Sequence, residues 1–186
     1  MALGAGAEVF VLDKDLSRLR ALEHRFGYRM GTAIVNEYNL NKFLSFADAV
    51  VGAVLIKGER APHVISEAMV QRMKAGSVII DVSIDQGGCV ATSRPTTLEN
   101  PTYIQHNVIH YCVPNIPANV ARTATYGLTN ALLPYLTEMV QKGVERAIRE
   151  NPGLERGVCM VRGVCTNAAI GRRFELASTP IHTLAH

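Results

Sequence analysis

Apolar and polar positions along this chain switch between two periods. Residues 8–12 (EVFVL) form a short apolar, β-branched run that ends at Asp13, the pattern of a buried strand closing on an acid. Leu16, Leu19, Leu22 and Phe26 recur at helical spacing and predict a helix over 16–26 closed by Gly27. A weaker strand is expected over 28–35, and Leu40, Phe43 and Leu44 share one face of a helix over 37–46. The unbroken apolar run AVVGAVLI at 49–56 reads as a central parallel strand. A helix over 66–74 opens at Ser66 as its cap and carries Met69 toward the core. Gly76 then turns the chain into SVIIDVSI, a further buried strand at 77–84. Strands alternating with short helices imply right-handed βαβ crossovers and a parallel sheet, so the fold class is α/β.

The segment from Gln86 to Asn100 is rich in Gly, Ser, Thr and Pro and has no period. It follows the carboxyl end of a strand, the edge where ligands bind in open α/β sheets. Residues 102–113 resume strand character, including His106 and His110, which are read as core or surface histidines. VPNIP, with two prolines, leads into a long helix over 118–142, which Pro134 is expected to kink and Gly143 to end. Beyond it come a charged helix and turn, a short strand or hairpin in VCMVRGVC, and a helix capped by Thr166 or Asn167. The composition changes near residue 121, and no repeat is present.

Composition narrows the classes. The 186 residues are 48% hydrophobic and 19% charged, which supports one sizeable core or one domain plus part of another. A mean hydropathy of +0.11 and no apolar run near about 18 residues predict no membrane span. The amino terminus has no basic region ahead of its apolar stretch, so no signal peptide is expected and a cytoplasmic location follows. A net charge of +3 without a basic stripe, and zero Trp, argue against nucleic-acid binding. Cys89, Cys112, Cys159 and Cys165 form no C-x-x-C and no metal-ligand cluster; reduced, structural cysteines and no metal are expected.

A dinucleotide-binding sheet begins with a strand, a glycine-rich turn and a helix, and an acid ending the second strand holds the adenosine ribose. Asp13 suits that acid. Gly4-Ala5-Gly6 precedes a strand rather than following one, so it reads as the turn out of a helix, not a phosphate loop. The chain is therefore expected to start inside the helix after the glycine loop, as a partial gene product. The other reading is a smaller sheet beginning natively at residue 8.

The run VIIDVSIDQGGCVATSRPTTLENPTYIQHNVIHYCVPNIP resembles the core of the alanine dehydrogenase family, in which the stretch reads close to VDVAIDQGGC, SRPTTH, NPTY and HYCVANMP. GAVLI with AP and Val64, and RTATYGLTNALLPY at 122–135, match as well. The resemblance covers essentially residues 1–170. It implies a partial Rossmann-type doubly wound parallel sheet with C-terminal helices of a second domain. It assigns residues 1–121 to an NAD-binding domain lacking its first strand and glycine loop, and 122–186 to the returning part of the substrate domain. The implied reaction is L-alanine, NAD and water to pyruvate, ammonia and NADH, in an enzyme that is usually a homo-oligomer, a hexamer.

Residue by residue, the resemblance makes Asp13 the ribose acid, selecting NAD because a carboxylate repels a 2′-phosphate. Arg18 stands near the adenosine end. Val54 and Leu55 pack along the cofactor, and Val82, Ser83, Ile84 and Asp85 form the turn beneath the nicotinamide ribose. Arg94 is a further nucleotide contact. Val113, Pro114, Asn115 and Ile116 form the loop over the nicotinamide, with Pro114 and Ile116 departing from the family's VANM. Val35 stands where the family often has Ser. Asp85 is the implied catalytic residue, placed to orient and deprotonate the ammonia or water that attacks the imine carbon. Without the resemblance, Asp85 reads first as a strand-end acid capping the turn at Gln86-Gly87-Gly88, since strand-end acids are common. For Asp13 a solvated strand-end acid is the lesser of its two readings, whereas Arg94 alone reads as a surface arginine.

The family's Arg and Lys that bind pyruvate, and its acid/base His, belong to an N-terminal half not matched by these residues. The isolated chain is accordingly expected to be inactive. Two alternatives stand beside this expectation: a non-catalytic nucleotide-binding or interaction remnant, and a protein like the transhydrogenase α-subunit.

Overall fold

The computed structural model describes residues 1–56 and 59–184. The chain divides into two compact units, Met1–Leu55 with Ala61–Pro114, and Ile56–Arg60 with Asn115–His186. The division at Pro114–Asn115 falls ahead of the composition change at 121. The last two residues of the expected 122–186 segment lie outside the described residues.

In the first unit, β1 (Val9–Asp13) pairs in parallel with β2 (Met30–Ile34) through α1 (Leu16–Phe26). Asp15 caps α1, its side chain accepting from the backbone of Ser17 and Arg18, and Gly27 closes it. Gly4 to Gly6 leave a 3-10 turn at Ala2–Ala5, with Gly6 at φ 85°, so this stretch is a helix exit.

A second sheet runs β3-β4-β6-β5, where β3 is Ala49–Gly52, β4 is Val78–Asp81, β5 is Thr102–Gln105 and β6 is Val108–Tyr111. The β3–β4 and β4–β6 pairs are parallel and β5–β6 is antiparallel. Among the described residues, β1 is paired only with β2 and β3 only with β4. α2 (Glu37–Leu44) reaches both sheets. Its Phe43 ring lies 4.9 Å from Phe10 of β1, while Leu44 enters the core with Ile79, Val70, Val90 and Val108. Each of those four is fully buried, contributing roughly 1.5–3 kcal/mol by removal from water.

Three predicted strands are shortened. The run at 49–56 pairs only to Gly52, because both backbone groups of Val54 bond the Ser83 hydroxyl instead of a ladder. The run at 77–84 ends at Asp81, whose side chain caps a 3-10 helix over Val82–Gln86. The run at 102–113 is a hairpin, turned by His106 and Asn107 at φ 53° and 60°, the left-handed pair that a two-residue turn demands. The predicted helix at 66–74 is one turn, α3 (Glu67–Val70), capped by Ser66 as expected.

The second unit is mainly helical. α4 (Ala121–Lys142) runs continuously across Pro134 and ends at Gly143, φ 80°. α5 (Val144–Glu150) and α6 (Pro152–Gly157) follow, then a hairpin of β7 (Met160–Val161) and β8 (Val164–Cys165), and α7 (Ala168–Phe174) capped by Asn167. No helix among the described residues is long and apolar enough to cross a membrane.

Candidate functional site

The chemistry-bearing residues of the first unit gather where strands end. β4 delivers Asp81 into the interior with no solvent exposure. One carboxylate oxygen accepts from the Ser83 amide at 3.0 Å and from the Cys89 thiol at 3.5 Å. The other accepts from the amides of Cys89 and Val90 at 2.9 and 3.2 Å. A buried acid is tolerated only when donors surround it, and here they do. Gly87 and Gly88, at φ 95° and 82°, fold the loop back by donating to Ile84 and Ser83 carbonyls. Burial, the largest cause, pushes the Cys89 thiol up to about 11, so it stays protonated and is no nucleophile.

Ser83 is the second tie. Its hydroxyl accepts from the Val54 amide at 2.8 Å and donates to the Val54 carbonyl at 2.9 Å. The sequence-derived positions Val54 and Ser83 are thus joined directly. Ser83 and Ile84 are buried, so Ile84 can offer a ligand only its backbone. Leu55 and Val82 project outward, at 68% and 42% exposure, and Asp85 is exposed on the 3-10 helix between the two ties. This is a carboxylate held on a tied turn and open to solvent.

The following loop is fastened from behind. The His110 Nδ1–H donates to the Val108 carbonyl at 3.0 Å, leaving Nε2 to accept the Thr92 hydroxyl at 2.8 Å. Burial holds the His110 pKa below its ordinary value, favouring this neutral form. The Tyr103 hydroxyl donates to the Thr92 carbonyl and accepts from the Arg94 amide. The Tyr103 ring stacks on His110 at 4.9 Å and carries the Arg94 guanidinium 4.1 Å above its centroid. Arg94 therefore has a defined seat while remaining exposed. His110 is the buried histidine expected; His106 sits in the hairpin turn and bonds Glu67 at 2.6 Å.

Asp13 ends β1, its carboxylate accepting from the Asp15 amide at 2.9 Å and lying 3.8 Å from Arg18. Its side chain is 31% exposed, so an oxygen remains accessible to a hydroxyl donor. Val35 lies just past β2, its amide donating to the Asp13 carbonyl. Val113 is buried and Pro114 exposed at the end of the first unit; Asn115, φ 54°, and Ile116 open the second unit. Asp81, Thr92, Tyr103 and the Cys89 amide escaped the residue-level reading. The signal was an acid closing an apolar run at IID, the pattern already used for Asp13.

A dinucleotide fits what is present. Asp13 offers an accessible acceptor at a strand end, Asp85 and Arg94 are exposed on fastened loops, and Gln86 Oε1 is buried without a hydrogen-bond partner. No group of three or more metal-ligating side chains occurs among the described residues.

The profile of the family described as alanine dehydrogenase/PNT, C-terminal domain, matches residues 1–168. The alanine dehydrogenase of Methanococcus maripaludis is 46% identical over 181 residues, covering 97% of this chain and 48% of its own length. A solved L-alanine dehydrogenase superposes with a TM-score of 0.83 at 38% identity, covering 94% of this chain and 48% of that one. A transhydrogenase from Sinorhizobium meliloti shares the fold, with a TM-score of 0.56 at 20% identity over 72% of this chain. The chain spans about half the length of the curated relatives it matches. With a parallel sheet, a strand-end acid on a double-glycine loop and a profile match over nearly the whole chain, this protein belongs to the alanine dehydrogenase/PNT C-terminal domain family.

Proposed function

We propose that these residues form the nucleotide-side part of an NAD-dependent alanine dehydrogenase, converting L-alanine and water to pyruvate and ammonia. NAD, when bound, supplies the two-electron oxidant. Asp13 accepts from the adenosine ribose, with Arg18 beside it. The backbone of Val54, Leu55, Ser83 and Ile84, with the Val82 side chain, lines the cofactor, and Arg94 makes a further contact. Val113, Pro114, Asn115 and Ile116 contribute the loop over the nicotinamide. The Asp85 carboxylate orients the nucleophile at the substrate's C2 and takes its proton: water in the oxidative direction, ammonia in reverse. The single observation that carries this reading is Asp85 standing exposed on a turn tied down at both Asp81 and Ser83.

Residues 122–186 are the returning part of the substrate domain in this reading, and the working enzyme is a cytoplasmic homo-oligomer. Substrate binding falls to side chains outside the matched half, so the isolated chain is inactive. An NADH oxidation assay with pyruvate and ammonium tests this. Turnover is expected only after adding the half of the Methanococcus maripaludis enzyme that this chain does not match, and Asp85→Asn abolishes it. Turnover by the chain alone, or turnover indifferent to Asp85→Asn, sinks the reading.

The outer edges of β1 and β3 favour a second reading, a chain that binds a partner polypeptide by strand addition. A monomer on size exclusion, unmoved by added full-length relative, counts against it.

A further inference from the structure

We infer that Asp81 is a positioning residue for the site: through Ser83 it ties the turn to Val54, just past β3, and through Cys89 and Val90 it sets where the turn ends, so that Asp85 is presented at one fixed place. The inference rests on the reading of Asp85 as the site's acid.

Both ends of one loop converge on this one carboxylate. The Ser83 amide it accepts belongs to the residue whose hydroxyl clasps Val54. The Cys89 and Val90 amides close the far side of the loop. Val90 in turn bridges Ile65, and the Cys89 carbonyl accepts from Val64 and Ile65, so the latch anchors onto the 61–65 segment as well. The five residues between the two grips are Ile84, Asp85, Gln86, Gly87 and Gly88. Of these, Ile84 is buried and Asp85 alone is exposed and charged.

The packing around the carboxylate is equally specific. A Cβ on Gly52 would stand 2.5 Å from Cys89 Sγ and 3.3 Å from the carboxylate, and one on Gly88 would stand 3.0 Å from it. Two glycines therefore allow the backbone to close around Asp81. Generic burial of an acid does not require donors drawn from both ends of a single loop. A latch does.

The general consequence is local. Replacing the carboxylate by an amide leaves one acceptor oxygen where two were used, so N–H meets N–H either at Ser83 or at Cys89 and Val90, and that grip fails while the apolar sheet beneath it remains. Nuclear magnetic resonance hydrogen exchange on the full chain tests this. Asp81→Asn is expected to accelerate exchange of the Ser83 amide, or of the Cys89 and Val90 amides together, at least about tenfold, with β4 and β6 amides unchanged. Ser83→Ala, which leaves the carboxylate in place, releases the Val54 amide but not Cys89 or Val90, and Ser83→Thr restores Val54.

Uniform acceleration through β4 and β6 assigns Asp81 a purely structural role and overturns the inference, as does unchanged exchange in the loop. If Asp81→Asn does not fold, the Ser83 pair decides: release spreading from Val54 to Cys89 and Val90 contradicts two separate grips. NADH titration of the same samples separates the underlying reading. Exchange behaviour as expected, with wild-type chain that leaves NADH fluorescence unmoved, fails the nucleotide reading but not the latch. NADH binding that Asp81→Asn weakens about tenfold supports both.

Discussion

The strand-end loop of the first unit and the helices of the second use polar groups in opposite ways. The side-chain polar atoms of Asp81 and His110 are buried, each answered by a specific donor or acceptor. Around α4 and α5 they lie at the surface. Lys142 pairs with Glu138 and Glu150, and Arg146 with Glu150; Glu138 is half-buried and the other three are exposed to solvent. Apolar side chains reverse as well. None of α4 is buried, and Leu128, Leu133 and Val140 are open to water, whereas Ile79 and Val108 are fully enclosed. A cleft of about 340 Å³ lined by Leu132, Tyr135, Leu136, Met139, Leu154 and Val158 opens in the helical unit. Buried polar contacts define geometry because removing one strands its partner; exposed ones are interchangeable with water.

The sharpest break of this comparison is Asp81→Ala. The Ser83, Cys89 and Val90 amides lose their acceptor and a void opens, costing about 3 kcal/mol or more. Urea unfolding followed by circular dichroism should register the drop, and a change below about 1 kcal/mol means the loop satisfies its amides elsewhere. Gly52→Ala follows, at roughly 1–3 kcal/mol, because a Cβ there meets Cys89 Sγ at 2.5 Å.

A smaller effect belongs to His110. Burial lowers its pKa, so the unfolded chain takes up the proton first. Its contribution to stability is complete above the ordinary histidine value and is lost as pH falls through the lowered one. The urea midpoint should decline as the solution is acidified below about pH 6.5, and His110→Gln should flatten that part of the decline. An identical profile for the variant removes His110 from the account.

Least of all is expected from Glu150→Gln. Hydrogen bonds from Arg146 and then Lys142 hold the Glu150 carboxyl down at about 2, yet the group is fully exposed. Whatever stability it confers is present above the ordinary carboxylate value and lost as pH falls toward that lower one. At neutral pH the substitution should leave the melting curve unchanged once salt is added. A salt-resistant loss would place this ion network with the buried ones.

The alternation of EVFVL, AVVGAVLI and SVIIDVSI carried the α/β class, since period and β-branching report burial directly. Strand ends were less legible. β3 stops where Val54 turns to the Ser83 hydroxyl and β4 where Asp81 caps the Ser83 amide, and Ser83 is remote from the first strand and unremarkable in either pattern. The hairpin at His106–Asn107 was hidden because neither residue is the glycine that usually marks such a turn. Asp85 stood out through IDQGGC, whereas the acid that holds its loop, four residues earlier, read as one more strand-end carboxylate. Exposure and partnership distinguish the two, and neither is a property of the residue type.

The central claim is that Asp13, Val54, the turn at Ser83–Asp85 and Arg94 face one dinucleotide. Amide chemical-shift mapping of the labelled chain with NADH tests it most directly. Millimolar NADH should perturb those positions together, with α4 to α6 unmoved. Perturbations confined to the helical unit, or none at saturation of the titrant's solubility, would contradict it.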